Sequence, residues 1–144
     1  MRRLFSNKGA PESGSGNSPA DQQGRTILVI DDSPTELHIL KTILESAGYS
    51  VILADRGETG VEQAKSEKPD LVLMDVVMPG LNGFQATRQL SRDPETADIP
   101  VIMVTTKDQE TDKTWALRQG AREYIVKPVE KDDLLSKIRT VLGA

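Results

Sequence analysis

Cysteine is absent from this 144-residue chain, and histidine and tryptophan occur once each, as His38 and Trp115. Without cysteine there are no disulfides, no thiolate metal sites and no thiol nucleophile, which fits a reducing compartment. One histidine leaves a Ser-His-Asp triad a single candidate, and a histidine-rich zinc site cannot be assembled. Positive charge is not in excess either: 18 Lys and Arg stand against 22 Asp and Glu, a formal net charge of -4. That balance argues against nucleic acid and anionic membrane as partners held by bulk electrostatics. No apolar run reaches the length of a membrane span or of a signal peptide, so a cytoplasmic location is expected.

What is present is enough for one domain, with 37% of the residues hydrophobic and a length that can bury a core needing no metal staple. Residues 1–24 hold four Gly, four Ser and two Pro, with little apolar content after Phe5. Such a composition cannot offset chain entropy by burial and reads as a flexible tail. From Thr26 the pattern changes. Thr26-Ile-Leu-Val-Ile30 is a β-branched apolar run ending in Asp31-Asp32, as a strand buried on both faces would. Ser33, Pro34 and Glu36 then supply an N-cap, a first-turn proline and the third member of a capping box. Leu37, Leu40, Leu44 and Ala47 mark one helical face, and Gly48 stands where a left-handed cap belongs.

Short apolar runs recur at Ser50–Ala54, Leu71–Met74, Val101–Val104 and Tyr124–Val126, each followed by a turn and a helical stretch. The last helix is predicted from Lys131 to Leu142, with Leu134, Leu135, Ile138, Val141 and Leu142 on one face. Strands joined by right-handed helical crossovers form a parallel sheet covered on both sides. The predicted fold is therefore a doubly wound, five-stranded α/β sandwich of flavodoxin-like (βα)5 topology, occupying residues 25–144.

Ligands of such sheets bind beyond the carboxyl ends of the strands. Strand one delivers Asp31 and Asp32 to that edge, strand three Asp75, strand four Thr105 and Thr106, and strand five Lys127 followed by Pro128. Singly each has an ordinary explanation: an Asp after a strand caps a helix, and a Thr at a strand end packs or bonds locally. Together they are harder to dismiss, because four strands present complementary groups at one edge. Two carboxylates ~4 Å apart at an effective dielectric of about 20 repel by ~4 kcal/mol, so cations belong among them. Lys127 is one, and Mg²⁺, a hard ion suited to carboxylates, a carbonyl and waters, is the expected other. An acidic pocket with a metal, a lysine and a hydroxyl suits phosphoryl transfer, with Asp75 as nucleophile.

The segments Ile30-Asp31-Asp32-Ser33, Leu73-Met-Asp75-Val-Val-Met-Pro79-Gly80, Val104-Thr105-Thr106 and Lys127-Pro128 resemble the signature of response-regulator receiver domains, over Arg25 to Ala144. Within the family, Asp32-Ser-Pro-Thr-Glu36, Gly80 to Leu90 and Thr105 to Asp112 are most similar to stand-alone regulators of type IV pilus (twitching motility) chemosensory systems. The resemblance implies that Asp75 accepts a phosphoryl group from a CheA-like histidine kinase. It further implies that Asp31, Asp32, Asp75 and the backbone carbonyl of Val77 hold Mg²⁺, that Thr105 and Lys127 read the phosphate, and that Tyr124 is the switch aromatic. Such a chain would not be an enzyme. It would contact a pilus or motility protein, or drain phosphoryl groups from a sister regulator. The chain stops two residues after Leu142, so output through contact rather than through an appended DNA-binding or enzymatic domain is expected.

Two positions depart from the best-known chemotaxis regulators, in which an Asn and a Glu flank the phosphate; here they are Val77 and Lys107. Trp115, in the fourth helix, is compatible with a partner surface or with half-buried packing. Two other classes share parts of the pattern. A haloacid-dehalogenase phosphatase also uses a strand-end Asp, Mg²⁺ and a lysine, but needs a second acid where this chain has Val77. A flavodoxin-like FMN binder needs open backbone amides after strand one, where this chain is acidic.

Overall fold

The computed structural model describes residues 24–143; apart from Gly24, the tail expected at residues 1–24 lies outside them. Five strands alternate with five helices: β1 (Thr26–Ile30), α1 (Pro34–Ser46), β2 (Ser50–Ala54), α2 (Gly57–Glu67), β3 (Leu71–Met74), α3 (Gly83–Arg92), β4 (Val101–Thr105), α4 (Glu110–Gln119), β5 (Glu123–Val126) and α5 (Lys131–Leu142). The strands form one parallel sheet in the order β2-β1-β3-β4-β5. The predicted doubly wound sandwich is thus the observed one, and its strand order reverses between β1 and β3.

Side-chain alternation along each strand explains the two layers. Ile27, Val29, Leu71, Leu73, Ile102 and Val104 face α1 and α5, meeting Leu37, Leu40, Leu44, Leu134, Leu135 and Ile138. Their neighbours Leu28, Ile30, Val72, Met74, Val101 and Met103 face the other way, onto Val61, Ala64, Ala86, Leu90 and Ala116 of α2, α3 and α4. Each buried aliphatic side chain contributes about 1.5 to 3 kcal/mol over its exposed state, so the three central strands fix the sheet and everything mounted on its edge.

The first helix departs from its expected start in one respect. The Ser33 hydroxyl accepts from the Glu36 backbone N–H as predicted, but the Ser33 N–H donates to Asp31 Oδ1 at 2.9 Å rather than to the Glu36 carboxylate. The capping box is therefore half formed, because the nearer Asp31 takes the donor that Glu36 would have used. A reciprocal box does occur at α3, between Asn82 and Gln85. Gly48 takes a left-handed φ of 97° one residue beyond the Ala47 cap of α1, in agreement with its expected role. Strands β4 and β5 each run one residue beyond their apolar cores, to Thr105 and from Glu123. Parallel pairing of Ile102 with Glu123 and Thr105 with Val126 carries the ladder past the hydrophobic run. No helix among the described residues is long and apolar enough to cross a membrane.

Candidate phosphoryl-transfer site

Backbone ladder bonds continue past the strands and fix the residues that follow them. The Asp31 N–H donates to the Ala54 carbonyl at 3.1 Å, the Asp75 N–H to the Ile30 carbonyl at 2.9 Å, and the Lys127 N–H to the Thr105 carbonyl at 2.8 Å. The site is thereby mounted on three adjoining strand ends and on β1, at the point where strand order reverses. Ligand sites of open parallel sheets form there because the loops on either side diverge.

Asp31, Asp32 and Asp75 each place a carboxylate oxygen within 4.8 Å of the others. Asp31 and Asp75 are buried, whereas Asp32 is exposed at the mouth of the site. Lys127 reaches into the cluster. Its ammonium donates to Asp31 Oδ2 at 2.7 Å and lies 3.6 Å from Asp75 Oδ2 and 4.0 Å from Glu36 Oε1. Glu36 is the acid that the capping-box reading assigned elsewhere; freed from Ser33, its carboxylate adds a third negative charge beside Lys127. No spacing rule signals that role, since the contact joins the first turn of α1 to the far end of β5.

The charges do not balance, and the proton affinities record it. Burial and then the charge of Asp31 raise the Asp75 carboxyl above the ordinary aspartate range, against opposition from Lys127, the Thr105 hydroxyl and the Val76 backbone. For Lys127 burial alone would lower the ammonium, but the Asp31 hydrogen bond and the charges of Asp75, Asp31 and Glu36 together raise it above the usual lysine value. Three clustered carboxylates with one ammonium are a hard, oxygen-rich and over-negative donor set. That set fits Mg²⁺, which takes one or two carboxylates and retains waters. Val77, two residues beyond Asp75, has an exposed side chain, so nothing acidic or amide-bearing covers the acceptor from that position.

Thr105 and Tyr124 are linked through one residue. Thr105 is fully buried, and its Oγ1 accepts from the Lys107 N–H at 3.4 Å. The Tyr124 hydroxyl donates to the carbonyl of the same Lys107 at 2.8 Å. Burial, and then the charges of Asp112, Asp75 and Asp108, push the phenol up to about 12, so it stays a neutral donor at physiological pH. Lys107 also lines a shallow pocket of about 280 Å³ with Val76, Val77, Met78, Asn82 and Phe84. Thr106, by contrast, is exposed and stands outside this network. Trp115 and Leu117 are both about half exposed on α4.

Comparison with known proteins agrees with the geometry. A family model described as "Response regulator receiver domain" matches residues 27–139. Protein PilH of Pseudomonas aeruginosa is 62% identical over 117 residues, covering 81% of this chain and 97% of that protein. Among solved structures, the receiver domain of a sensor histidine kinase from Pseudomonas aeruginosa superposes with a TM-score of 0.78 at 29% identity, covering 84% of this chain and 99% of that one. That structure carries a magnesium ion coordinated in its active-site cleft. Chemotaxis protein CheY4 of Vibrio cholerae superposes with a TM-score of 0.77 at 27% identity, covering 81% of this chain and 98% of that one.

Proposed function

The chain belongs to the response-regulator receiver family, and we propose that it is a stand-alone response regulator of a two-component phosphorelay, phosphorylated on Asp75 by a histidine kinase. The observation that carries this reading is the Asp31–Asp75–Lys127 arrangement: a buried carboxylate at a strand end, 3.6 Å from an ammonium that a second buried carboxylate fixes at 2.7 Å. Likeness to PilH over nearly the whole of that protein supports twitching-motility or chemotaxis-type signalling, with a CheA-like kinase as donor and a pilus or motility protein as target. A role as phosphate sink for a sister regulator uses the same chemistry. The family is one of signalling domains rather than of enzymes, and an exposed Val77 where a dehalogenase-type phosphatase needs its acid supports the same conclusion.

In this mechanism an Asp75 carboxylate oxygen bonds to phosphorus as the phosphorus–nitrogen bond of the donor phosphohistidine breaks, and the released imidazole takes a proton from solvent. Asp31, Asp32, Asp75 and the Val77 carbonyl would hold Mg²⁺, which when bound neutralises charge on the phosphoryl oxygens. Lys127 remains tied to Asp31 and presents its ammonium to one phosphoryl oxygen; the Thr105 hydroxyl presents a donor to another. If Thr105 turns toward the phosphate, its bond from the Lys107 N–H is strained or lost. The Lys107 carbonyl, acceptor for Tyr124, then moves with the loop. Phosphorylation is a local charge event that shifts the populations of this Thr105–Lys107–Tyr124 linkage, with α4, β5 and α5 as the readout face.

Incubation with acetyl phosphate and Mg²⁺ is expected to add the mass of one phosphoryl group, on a peptide containing Asp75, and to add nothing when the metal is chelated. Persistent failure with both acetyl phosphate and a cognate-type kinase would mean that the domain binds partners without being phosphorylated. A second expectation concerns the lifetime of the product. Val77 has no polar group to orient an attacking water, so Val77→Asn should shorten the half-life of the phosphorylated protein. A longer half-life for Val77→Asn than for wild type, followed by intact mass after donor removal, would contradict this account.

A further inference from the structure

We propose that Glu58, at the start of α2, is a positioning residue that fastens the loop following Asp75 and so sets the geometry in which the Val77 carbonyl joins the acidic cluster. The inference rests on the reading of that cluster as a Mg²⁺ and phosphoryl site. Between Asp75 and α3 the chain must leave β3, expose Val77 and return to the Asn82 cap. A loop of this kind is held only by what touches it.

Two contacts converge on its far end, one through the Glu58 carboxylate and one through Gly57. Glu58 Oε2 accepts from the Leu81 backbone N–H at 3.1 Å. Gly57, the first residue of α2, lies so close to the loop that a Cβ there would stand 2.5 Å from the Leu81 carbonyl oxygen. Gly80 adopts a left-handed φ of 75°, and a Cβ there would stand 2.7 Å from the same Glu58 Oε2. The loop thus lies against the α2 start on both sides of the Leu81 peptide: the Leu81 carbonyl fills the space left open at Gly57, and the Glu58 carboxylate the space left open at Gly80. Hydrogen bonds from its own backbone and from Leu81 hold the Glu58 carboxyl below the usual glutamate range, so it is an anionic acceptor at neutral pH. Charge-assisted acceptors of this type are stronger than neutral ones.

At the near end the loop is fixed by the Asp75 N–H on the Ile30 carbonyl and by the Gly83 N–H on the Val76 carbonyl at 2.9 Å. Val77, Met78 and Pro79 bridge the two anchored ends. Met78 is buried against the sheet between them, so release of the Leu81 end loosens the Val77 carbonyl rather than detaching it, and does so without touching any carboxylate of the cluster. Groups that orient a metal ligand without themselves binding metal contribute about 10- to 100-fold to affinity. Glu58 acts at the far end of the loop, and the lower part of that range applies.

The test is a calorimetric titration of the full chain with Mg²⁺, comparing wild type, Glu58→Ala and Glu58→Gln. Glu58→Ala is expected to raise the Mg²⁺ dissociation constant about tenfold, and Glu58→Gln, whose amide oxygen can still accept from Leu81, to stay within about threefold of wild type. Amide exchange at Leu81 should accelerate in Glu58→Ala while exchange in β3 is unchanged, which separates loop release from general unfolding. Wild-type Mg²⁺ affinity in Glu58→Ala, or exchange that accelerates equally throughout β3, overturns the proposal while leaving the phosphorelay reading intact. If wild type binds no Mg²⁺, the reading of the cluster fails and the proposal fails with it.

Discussion

Lys127→Met is expected to destabilise the metal-free protein by about 3 kcal/mol at neutral pH, because removing one partner of a buried ion pair leaves the other uncompensated. The Lys127 ammonium sits 2.7 Å from Asp31 and 3.6 Å from Asp75, and both carboxylates are buried. Methionine replaces the aliphatic stem, so the loss is one of charge rather than of packing. The pH dependence follows from the raised Lys127 proton affinity. Stabilisation by a base whose folded-state affinity is raised is complete below the unfolded lysine value and is lost as pH rises through the folded one. The gap between wild type and variant should therefore be full at pH 7 and close in strongly alkaline solution. Mg²⁺ should narrow it, since the metal becomes the sole cation among the acids and stabilises whichever state binds it. Phosphorylation by acetyl phosphate should fall by about 10² to 10³, the usual effect of losing a charge-stabilising donor at a transferring group. Urea denaturation curves that coincide for the two proteins at pH 7 would show that solvent, not Lys127, compensates the acidic pair.

Lys127, Asp31 and Asp75 were legible in the sequence because they follow buried strands. An apolar run that ends abruptly in a charge places that charge at a sheet edge, and parallel topology puts four such edges together. The same logic reached Asp31, Asp75 and Thr105. It missed contacts that depend on competition or on backbone atoms. Glu36 stands at the right spacing for a capping box, and only the folded position of Asp31, which takes the Ser33 N–H, turns the Glu36 side chain toward Lys127. Glu58 and Leu81 have no pattern connecting them; a carboxylate bonded to a backbone N–H across two loops leaves no trace in residue spacing. Tyr124 could be singled out only by family resemblance, since its partner is the Lys107 carbonyl and every residue has a carbonyl. Alternation fixes which face a side chain occupies, while its partners on that face are decided by tertiary approach.

Asp75→Asn should abolish phosphorylation and, in the metal-free protein, make the fold more stable. Both effects have one cause. Burial and the neighbouring Asp31 charge hold the Asp75 proton affinity above the ordinary aspartate value of 3.8. Between that value and the raised one, the folded state keeps a proton that the unfolded chain releases, so stability falls as pH rises through the window. At pH 7 the ionised carboxylate is a net cost to the fold, and the near-isosteric amide removes it at every pH. Urea denaturation in the presence of a chelator should show the two proteins equal below about pH 3.8, with the Asn variant gaining through the acid range and holding its advantage at neutrality. Mg²⁺ should reverse the trend, because wild type offers the metal a carboxylate that the variant lacks. Equal stability at pH 7 without metal would mean that Lys127 and the Thr105 hydroxyl already balance the Asp75 charge. The acceptor would then be at rest before phosphorylation, with no electrostatic strain for metal binding to relieve.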